Sequence, residues 1–263
     1  MIKLVATDID GTILGADNVF RPKILETIEK LKKKNIKMVL ATGRIFEGVW
    51  PVRNMLGLDT PVICTQGSLA KDENNTFWSA PVDNSLVWDV VEFLKKKNIH
   101  TNLYNNDKLF IEDTRYIDDY IRGRFVKYNL IKSFYDLKLG EVTKMLAIVY
   151  DEDEIRKLEA EMKERYAGKL GIVLSSKCYL EITNPIASKG NALKKLMEIW
   201  NLKEDEVFAS GDQDNDIELL KVAGVKVAMQ NASNGLKNVA NYIAPPVYED
   251  GWAEAIERFV LCE

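Results

Sequence analysis

The chain of 263 residues contains a single histidine, His100, and this excludes several classes of enzyme. Ser-His-Asp catalysis, phosphatases with a histidine nucleophile and metal sites built from several histidines would each need that one residue in a leading role. His100 follows the lysine run at residues 95–97, where we expect a helix end and a surface position. Catalysis is therefore expected from other residue types.

The sequence also has few cysteines, no long apolar run and no net positive charge. The three cysteines, Cys64, Cys178 and Cys262, are odd in number and widely spaced, so neither a disulfide framework nor a zinc cluster is indicated, and a reducing cytoplasm is expected. The first acid, Asp8, leaves no room for the apolar core of a signal peptide, and no run approaches the length of a membrane span. The net charge of -4 argues against nucleic acid or an acidic membrane as the main partner.

Apolar residues alternate between strand and helix patterns at both ends of the chain. Residues 4–6, 38–41 and 62–65 are predicted buried strands separated by helices, and residues 207–209 and 225–229 repeat this style. The order predicts an α/β fold with a doubly wound, Rossmann-like parallel-sheet core. Shorter strands with two main helices over 82–185 predict an inserted α+β module, so that residues 1–81 and 186–263 form the core. One continuous large sheet is the alternative.

Two carboxylates follow the first predicted strand in Asp8-Ile9-Asp10-Gly11-Thr12. Open α/β sheets bind their ligands at the carboxyl ends of the strands, where both acids would lie. Carboxylates held close together repel each other, and one pKa rises unless a cation or a proton offsets the charge. The pair therefore indicates a metal site, acid–base chemistry or both, and from this motif alone a tight hairpin turn at Asp-Gly is an equal alternative.

Two further stretches place phosphate-binding chemistry at element ends. Thr42-Gly43-Arg44 follows the strand at 38–41, and its hydroxyl and exposed backbone N–H suit phosphate oxygens, although Thr42 as a helix cap is the alternative. Ser188-Lys189-Gly190-Asn191 opens a predicted helix. A cation is unfavourable at a helix N-terminus. Lys189 at this position therefore indicates a bound anion that interacts with both the lysine and the helix N-terminus.

The acidic stretch Gly211-Asp212-Gln213-Asp214-Asn215-Asp216 lies between a predicted strand and a helix. Helix capping would need only one or two of these acids. A calcium loop counted from Asp212 fails, because position six is Ile217 rather than Gly and position twelve is Ala223 rather than Glu. Joined to Asp8 across adjacent strand ends, the stretch predicts a hard, oxygen-bound ion, most simply Mg²⁺.

In this order and spacing the stretches resemble the four motifs of the haloacid dehalogenase superfamily of phosphatases, over essentially the full length of the chain. The insert resembles the cap of the Cof-type branch, and Tyr179-Leu180-Glu181-Ile182 before Lys189 is similar to that branch as well. Cof-type relatives usually have Asn-Gly after the third strand. This chain has Gln66-Gly67, so the resemblance assigns no contact there.

The resemblance implies a role for each matching residue. Asp8 would be the nucleophile that forms an aspartyl-phosphate, and Asp10 the acid and base. Mg²⁺ would be held by the Asp8 carboxylate, the Asp10 backbone carbonyl and Asp212, with Asp216 in support. The residues implied in phosphate binding are Ile9, Thr42, Gly43, Lys189 and Asn215. Arg44 and Glu181 are candidates for contact with the leaving group.

The expected activity is a Mg²⁺-dependent phosphatase of small phosphorylated metabolites, such as sugar phosphates, with no nucleic-acid, membrane or protein partner. A phosphomutase of the same superfamily is one alternative, since it returns the phosphoryl group to a sugar rather than to water. A non-catalytic signalling protein with a Mg²⁺ and phosphate pocket is another. Receiver domains combine acids, a threonine and a lysine in this way, but they are shorter and lack a large insert.

Overall fold

The computed structural model describes residues 1–122 and 126–262, which form two compact units. The first unit comprises Met1–Gly43, Val49–Trp78 and Ser188–Glu263, and the second comprises Arg44–Gly48 and Ser79–Ala187. The predicted insert at 82–185 includes residues 123–125, and the predicted core segment at 186–263 includes residue 263. These four residues lie outside the described residues.

The first 79 residues alternate strands with helices. Pro22 opens the first helix, where its missing N–H leaves no helical hydrogen bond unmade. Ile24, Ile28 and Leu31 of that helix are buried, whereas Leu25 is exposed. The elements are β1 (Leu4–Thr7), α1 (Pro22–Lys33), β2 (Lys37–Leu40), α2 (Phe46–Met55), β3 (Val62–Cys64), β4 (Leu69–Lys71) and β5 (Thr76–Ser79).

The insert contributes a six-stranded sheet in the order β10-β11-β9-β6-β7-β8, in which only β7 and β8 pair in parallel. Apolar side chains of α3 and α5 pack on one face of this sheet and give the second unit its own core. The elements are α3 (Asn84–Lys96), β6 (His100–Asn105), β7 (Lys108–Ile111), α4 (Ile117–Ile121), β8 (Tyr128–Leu130), β9 (Val142–Ile148), α5 (Glu152–Arg165), β10 (Gly171–Ser176) and β11 (Tyr179–Thr183).

After the insert the chain returns to the first unit and again alternates helices and strands. The elements are α6 (Lys189–Ile199), β12 (Val207–Gly211), α7 (Ile217–Lys221), β13 (Val225–Met229), α8 (Asn234–Val239), β14 (Tyr242–Ala244) and α9 (Gly251–Ile256), followed by a π-helical turn over Glu257–Leu261. Within residues 1–122 and 126–262, no helix combines the length and apolarity that crossing a membrane requires.

Five parallel strands form the central sheet of the first unit, in the order β14-β13-β12-β1-β2. Strand β3 lies beside β2 through one parallel bridge, Ala41 to Ile63, and also forms a small sheet with β4 and β5. The predicted α/β class with a parallel core and a separate α+β insert is confirmed. The hairpin alternative at Asp8 to Thr12 is wrong, because β1 pairs in parallel with both of its neighbours.

One expectation about a single residue is also wrong, because His100 is buried, with 2% of its surface exposed. It begins β6, a strand near the middle of the six-stranded sheet whose residues are all buried. Its Nδ1 lies 2.8 Å from Asp113 Oδ1, and its Nε2 lies 3.1 Å from Asn102 Oδ1. Tertiary packing overrides the local signal of the preceding lysine run.

Candidate active site

Three predicted acids meet at the carboxyl edge of the central sheet. Strands β1 and β12 end side by side because Thr7 is paired with Ser210. Asp8 follows β1 directly, and Asp212 follows β12 directly, so the two side chains come together. The carboxylates of Asp8, Asp212 and Asp216 are buried, and each offers an oxygen atom within 4.8 Å of the others.

The first residue of α6, Lys189, is buried among these acids. Its Nζ donates to Asp8 Oδ1 at 2.7 Å and to Asp216 Oδ1 at 2.6 Å. Ser188 caps the helix by accepting the N–H of Asn191 at 3.0 Å. Burial lowers the pKa of Lys189, but the carboxylates of Asp216 and Asp8 outweigh burial and raise that pKa overall. A lysine at a helix start is thus stabilised by carboxylates of its own chain.

Asp216 fixes the loop that carries Asp212. While one of its oxygens accepts from Lys189, the other accepts the backbone N–H groups of Asp212 at 3.1 Å and Gln213 at 3.2 Å. Gly211 permits this approach, since a Cβ there would overlap the Asp216 carboxyl group. The loop therefore holds Asp212 beside Asp8 through fixed hydrogen bonds.

Burial dominates the electrostatics of the carboxylates. It raises the pKa of Asp8 well above its usual range, with Lys189 opposing and Asp216 and Asp212 adding to the rise. Burial likewise raises the pKa of Asp212 to about 7, and Asp216 adds to that rise. The three carboxylates also outnumber the one lysine among them, so the site holds more negative charge than Lys189 offsets.

The donor set fits a hard divalent cation. Three buried carboxylates lie around one lysine in contact with two of them, so a charge of +2 would offset the excess. Carboxylate oxygens are the ligands that Mg²⁺ prefers. Gly11 (φ +87°) brings the Asp8–Thr12 turn against Asp212 Oδ2, where a Cβ would overlap that oxygen.

A second group of predicted residues lies where β2 and β3 end. Thr42 is buried and donates its N–H to Ile63 O at 2.9 Å. Gln66 Oε1 accepts from Asn215 Nδ2 at 2.7 Å, and a Cβ on Gly43 would lie 2.5 Å from Gln66 Nε2. The structure thus places the carboxamide of Gln66, to which sequence reasoning assigned no contact, between Gly43 and Asn215.

Backbone strain accompanies this placement. Thr65, Gln66 and Gly67 have φ values of 47°, 58° and 81°, three left-handed residues in succession. A β-branched residue such as Thr65 is a conformational outlier at positive φ, and such strain concentrates at functional sites. Gly67 also lies against the Ser188–Lys189 peptide, where no Cβ would fit. The strained turn after β3 therefore packs against the start of α6.

The other predicted residues have different surroundings. Asp10 is exposed, whereas Ile9 is fully buried and its carbonyl accepts from the backbone of the following turn. Asn231 was missed from the sequence. Its Nδ2 lies 3.1 Å from Gly11 O and 3.3 Å from Asp212 Oδ2, and its place just after β13, at the same sheet edge, was the available signal. Arg44 and Glu181 belong to the second unit.

Known proteins are similar to this chain in sequence and in fold over nearly its whole length. A family model described as haloacid dehalogenase-like hydrolase matches residues 5–256. A 5-amino-6-(5-phospho-D-ribitylamino)uracil phosphatase of Bacillus subtilis is 26% identical, with 98% of each chain covered. A phosphoglycolate phosphatase of Methanoculleus marisnigri is 27% identical, covering 98% of this chain and 97% of the relative. The crystal structure of a haloacid dehalogenase-like hydrolase from Bacteroides thetaiotaomicron has a TM-score of 0.88 at 27% identity, covering 98% of this chain and 99% of its own.

Proposed function

Because this chain belongs to the family of haloacid dehalogenase-like hydrolases and is a phosphatase, we propose that it hydrolyses small phosphorylated metabolites, sugar phosphates among them, with Mg²⁺. The observation that carries the proposal is the buried group of Asp8, Lys189, Asp212 and Asp216 at the carboxyl edge of the sheet. The phosphatases from B. subtilis and M. marisnigri support a small phosphorylated substrate.

In the proposed first step a carboxylate oxygen of Asp8 attacks phosphorus. The bond from phosphorus to the ester oxygen breaks, the leaving oxygen takes a proton from Asp10, and Asp8 carries the phosphoryl group. Asp8 is held for this attack by Lys189, whose Nζ is 2.7 Å from Oδ1. The lysine also lessens the repulsion between the carboxylate and the anionic substrate.

In the proposed second step water attacks the phosphorus of the aspartyl-phosphate. Asp10 takes a proton from that water, inorganic phosphate leaves, and the Asp8 carboxylate is restored. Asp10 suits proton exchange because it is exposed, whereas the buried Asp8 suits attack. One general acid increases the rate only about 10²- to 10⁴-fold, so positioning and charge stabilisation must supply most of the rate enhancement.

The phosphoryl oxygens would be held by groups of two adjacent regions. Lys189 supplies the charge, and Thr42, the Gly43 N–H and Asn215 supply hydrogen-bond donors beside it. Ile9, which precedes Asp10 in the same turn, is proposed to contribute through its backbone. These groups stabilise charge as it spreads over the transferring phosphoryl group.

Mg²⁺ would be held by Asp8, Asp212 and the backbone carbonyl of Asp10, with Asp216 in support. When bound, this ion lowers the repulsion between the nucleophile and the phosphate. The closeness of the three buried carboxylates supports this assignment. Asp216 supports it indirectly, since its oxygens hold both Lys189 and the backbone of the Asp212 loop.

We propose that the first unit is the catalytic core and that the second sets specificity. The second unit buries a charged pair, Lys144 Nζ to Glu181 Oε2 at 3.0 Å, and Ser175 donates to the same carboxylate at 2.9 Å. Polar groups of this kind, with Arg44, would recognise a hydroxylated leaving group. We also propose a reducing cytoplasm as the setting, because the sequence has only three, widely spaced cysteines.

The decisive experiment compares wild type with Asp8→Asn on p-nitrophenyl phosphate and on a panel of phosphorylated metabolites. We expect wild type to release phosphate only with Mg²⁺, and Asp8→Asn to lose at least ~10³-fold in kcat while circular dichroism stays unchanged. Product analysis with hexose phosphates should show transfer to water. Normal turnover by Asp8→Asn, or an isomerised sugar phosphate as the product, would overturn the proposal.

A further inference from the structure

A chain of three hydrogen bonds leads from the last helix of the first unit to the backbone of Asp8. Trp252 Nε1 donates to Ser210 Oγ at 3.1 Å, Ser210 Oγ donates to Thr7 Oγ1 at 2.8 Å, and Thr7 Oγ1 donates to the carbonyl oxygen of Asp8 at 2.9 Å. Thr7, Ser210 and Trp252 are completely buried. The chain therefore runs through the interior without bulk solvent.

The direction of these bonds follows from the chemistry of indole. Its N–H can only donate, so Ser210 Oγ accepts there and directs its own proton to Thr7. Thr7 in turn accepts from Ser210 and directs its proton to Asp8. With Trp252 at its start, the sequence of donors has one orientation, and each bond polarises the next in a low-dielectric interior.

The main chain of Asp8 is hydrogen-bonded through both its N–H and its carbonyl group. Its N–H donates to Ser210 O at 3.0 Å, and its carbonyl accepts from Thr7. Ser210 contributes to both sides: its backbone oxygen accepts the Asp8 N–H directly, and its hydroxyl donates to the Thr7 hydroxyl that bonds the Asp8 carbonyl. Rotation of the Asp8 main chain would break one of these bonds and would move the carboxylate that Lys189 holds.

The two hydroxyls stand in strands that are otherwise apolar up to this edge. Strand β1 reads Leu-Val-Ala-Thr and β12 reads Val-Phe-Ala-Ser-Gly, with every residue buried. A buried hydroxyl is unfavourable unless it is hydrogen-bonded, and a fully bonded chain meets that need. Valine in place of Thr7 and alanine in place of Ser210 would fill the same space. The two hydroxyl groups therefore have a role other than packing.

We infer that Trp252, Ser210 and Thr7 are positioning residues for Asp8, acting through its main chain rather than on the substrate. The inference rests on the proposed function, in which Asp8 is the nucleophile. An Asp8 free to rotate would spend less time aligned with phosphorus, and the loss falls on turnover rather than on substrate binding.

The test begins with Thr7, where two variants differ only in the hydroxyl. Thr7→Val keeps the shape and removes the donor to Asp8, and we expect kcat to fall about 10-fold with KM within about twofold. Thr7→Ser keeps the hydroxyl and should restore kcat to within about threefold of wild type. Inhibition by inorganic phosphate, a readout of binding, should be the same in both.

Trp252→Phe keeps the ring and removes the N–H, and it tests whether the residues act as a unit. We expect a smaller fall in kcat, about threefold, and a double variant with Thr7→Val no slower than Thr7→Val alone. Trp200→Phe is the control, because Trp200 packs against a core cluster of the first unit and takes no part in this hydrogen-bond chain. It should turn over like wild type.

The outcomes separate this inference from the proposed function. Normal turnover by Asp8→Asn would show that Asp8 is not the nucleophile, and the proposed function would then be wrong. If Asp8→Asn is inactive but Thr7→Val and Trp252→Phe keep the wild-type kcat, the function stands and the positioning role is wrong. Lower thermal stability with unchanged kcat would show a purely structural role, and strictly additive losses would show that the residues do not act together.

Discussion

The carboxamide of Gln66 sets the electrostatics beside the proposed phosphate site. Its Oε1 accepts from Asn215, which orients its Nε2 toward Gly43. Gln66→Glu would place a negative charge there, and we expect kcat/KM to fall at least ~10-fold through repulsion of the dianionic substrate. Gln66→Leu, which only removes the amide, should lose less. Asn201→Asp, an amide-to-carboxylate change at an exposed position before β12, is the control in steady-state assays.

Equal activity of Gln66→Glu and Asn201→Asp would show that Gln66 does not face the substrate. This residue also marks a limit of sequence analysis. Nothing in Thr65-Gln66-Gly67 beyond the glycine signals three left-handed residues, because the conformation is imposed by the contacts of Gly67 and Asn215. By contrast, Asp8, Lys189 and Asp212 could be singled out from the sequence, because each comes shortly after a predicted strand or opens a predicted helix.

Asp113 in the second unit links folding to acid pH. Although burial raises its pKa, hydrogen bonds from Arg115 and His100 outweigh burial and lower that pKa from 3.8 to about 2. A lowered folded-state pKa means that the carboxylate stabilises the folded chain above pH 3.8 and loses this effect as pH falls toward about 2. Asp113→Asn should therefore lower the free energy of unfolding at pH 6 and have progressively less effect between pH 4 and pH 2.

Urea unfolding of wild type and Asp113→Asn at pH 6, 4 and 3 measures this dependence. The effect is small, because the side chain is 39% exposed and solvent screens the interaction. Asp59→Asn, which changes an exposed acid of the first unit, supplies the baseline. A difference between wild type and Asp113→Asn that grows on acidification would contradict the assignment.

Among the elements, strand β12 depends on a glycine at its last position. A Cβ on Gly211 would overlap the Asp216 carboxyl group, so Gly211→Ala must displace the acid that holds Lys189 and the Asp212 loop. We expect a loss of about 1–3 kcal/mol in the free energy of unfolding, together with a large fall in kcat. Denaturant unfolding and steady-state assays measure the two effects.

Gly168→Ala is the matched comparison, because Gly168 has φ +70° and a Cβ added there would meet no atom of the described residues within 4 Å. Backbone strain in Gly168→Ala should lower the free energy of unfolding by about 1 kcal/mol and leave turnover unchanged. If Gly211→Ala resembles Gly168→Ala in both readouts, the loop around Asp216 tolerates displacement. The comparison separates steric overlap at an element end from backbone strain elsewhere.

Strands with a run of buried apolar residues were predictable, whereas short strands without such a run were not. Strand β13 was predicted at its observed bounds, and β1, β2, β3 and β12 within one or two residues. Strands β4, β8 and β14 have three residues each, and unlike the equally short β3, whose residues are all buried, each includes an exposed or half-buried residue. The exposed strand β8 also lacks an apolar face, and its pairing with β7 depends on tertiary contacts.

At the scale of the whole molecule, two separate cores predict an uneven response to metal. The carboxylates of Asp8, Asp212 and Asp216 belong to the first unit, and the core under α3 and α5 belongs to the second. A ligand that binds only the folded state stabilises it, by about 2.7 kcal/mol at 100 times its Kd. We expect Mg²⁺ to slow hydrogen exchange in β1, β12 and α6 while β9 and β11 change little.

Hydrogen exchange with mass spectrometry, with Mg²⁺ and with EDTA, resolves the two units in one measurement. Asp212→Asn is the sharpest variant, because it removes one buried carboxylate and should abolish most of the protection while keeping the fold. Equal protection of both units by Mg²⁺ would show global stabilisation, and none in either would remove the metal assignment. The selective result follows from charge: the buried acids at the edge of the parallel sheet exceed their lysine, and a divalent cation relieves that excess only where it exists.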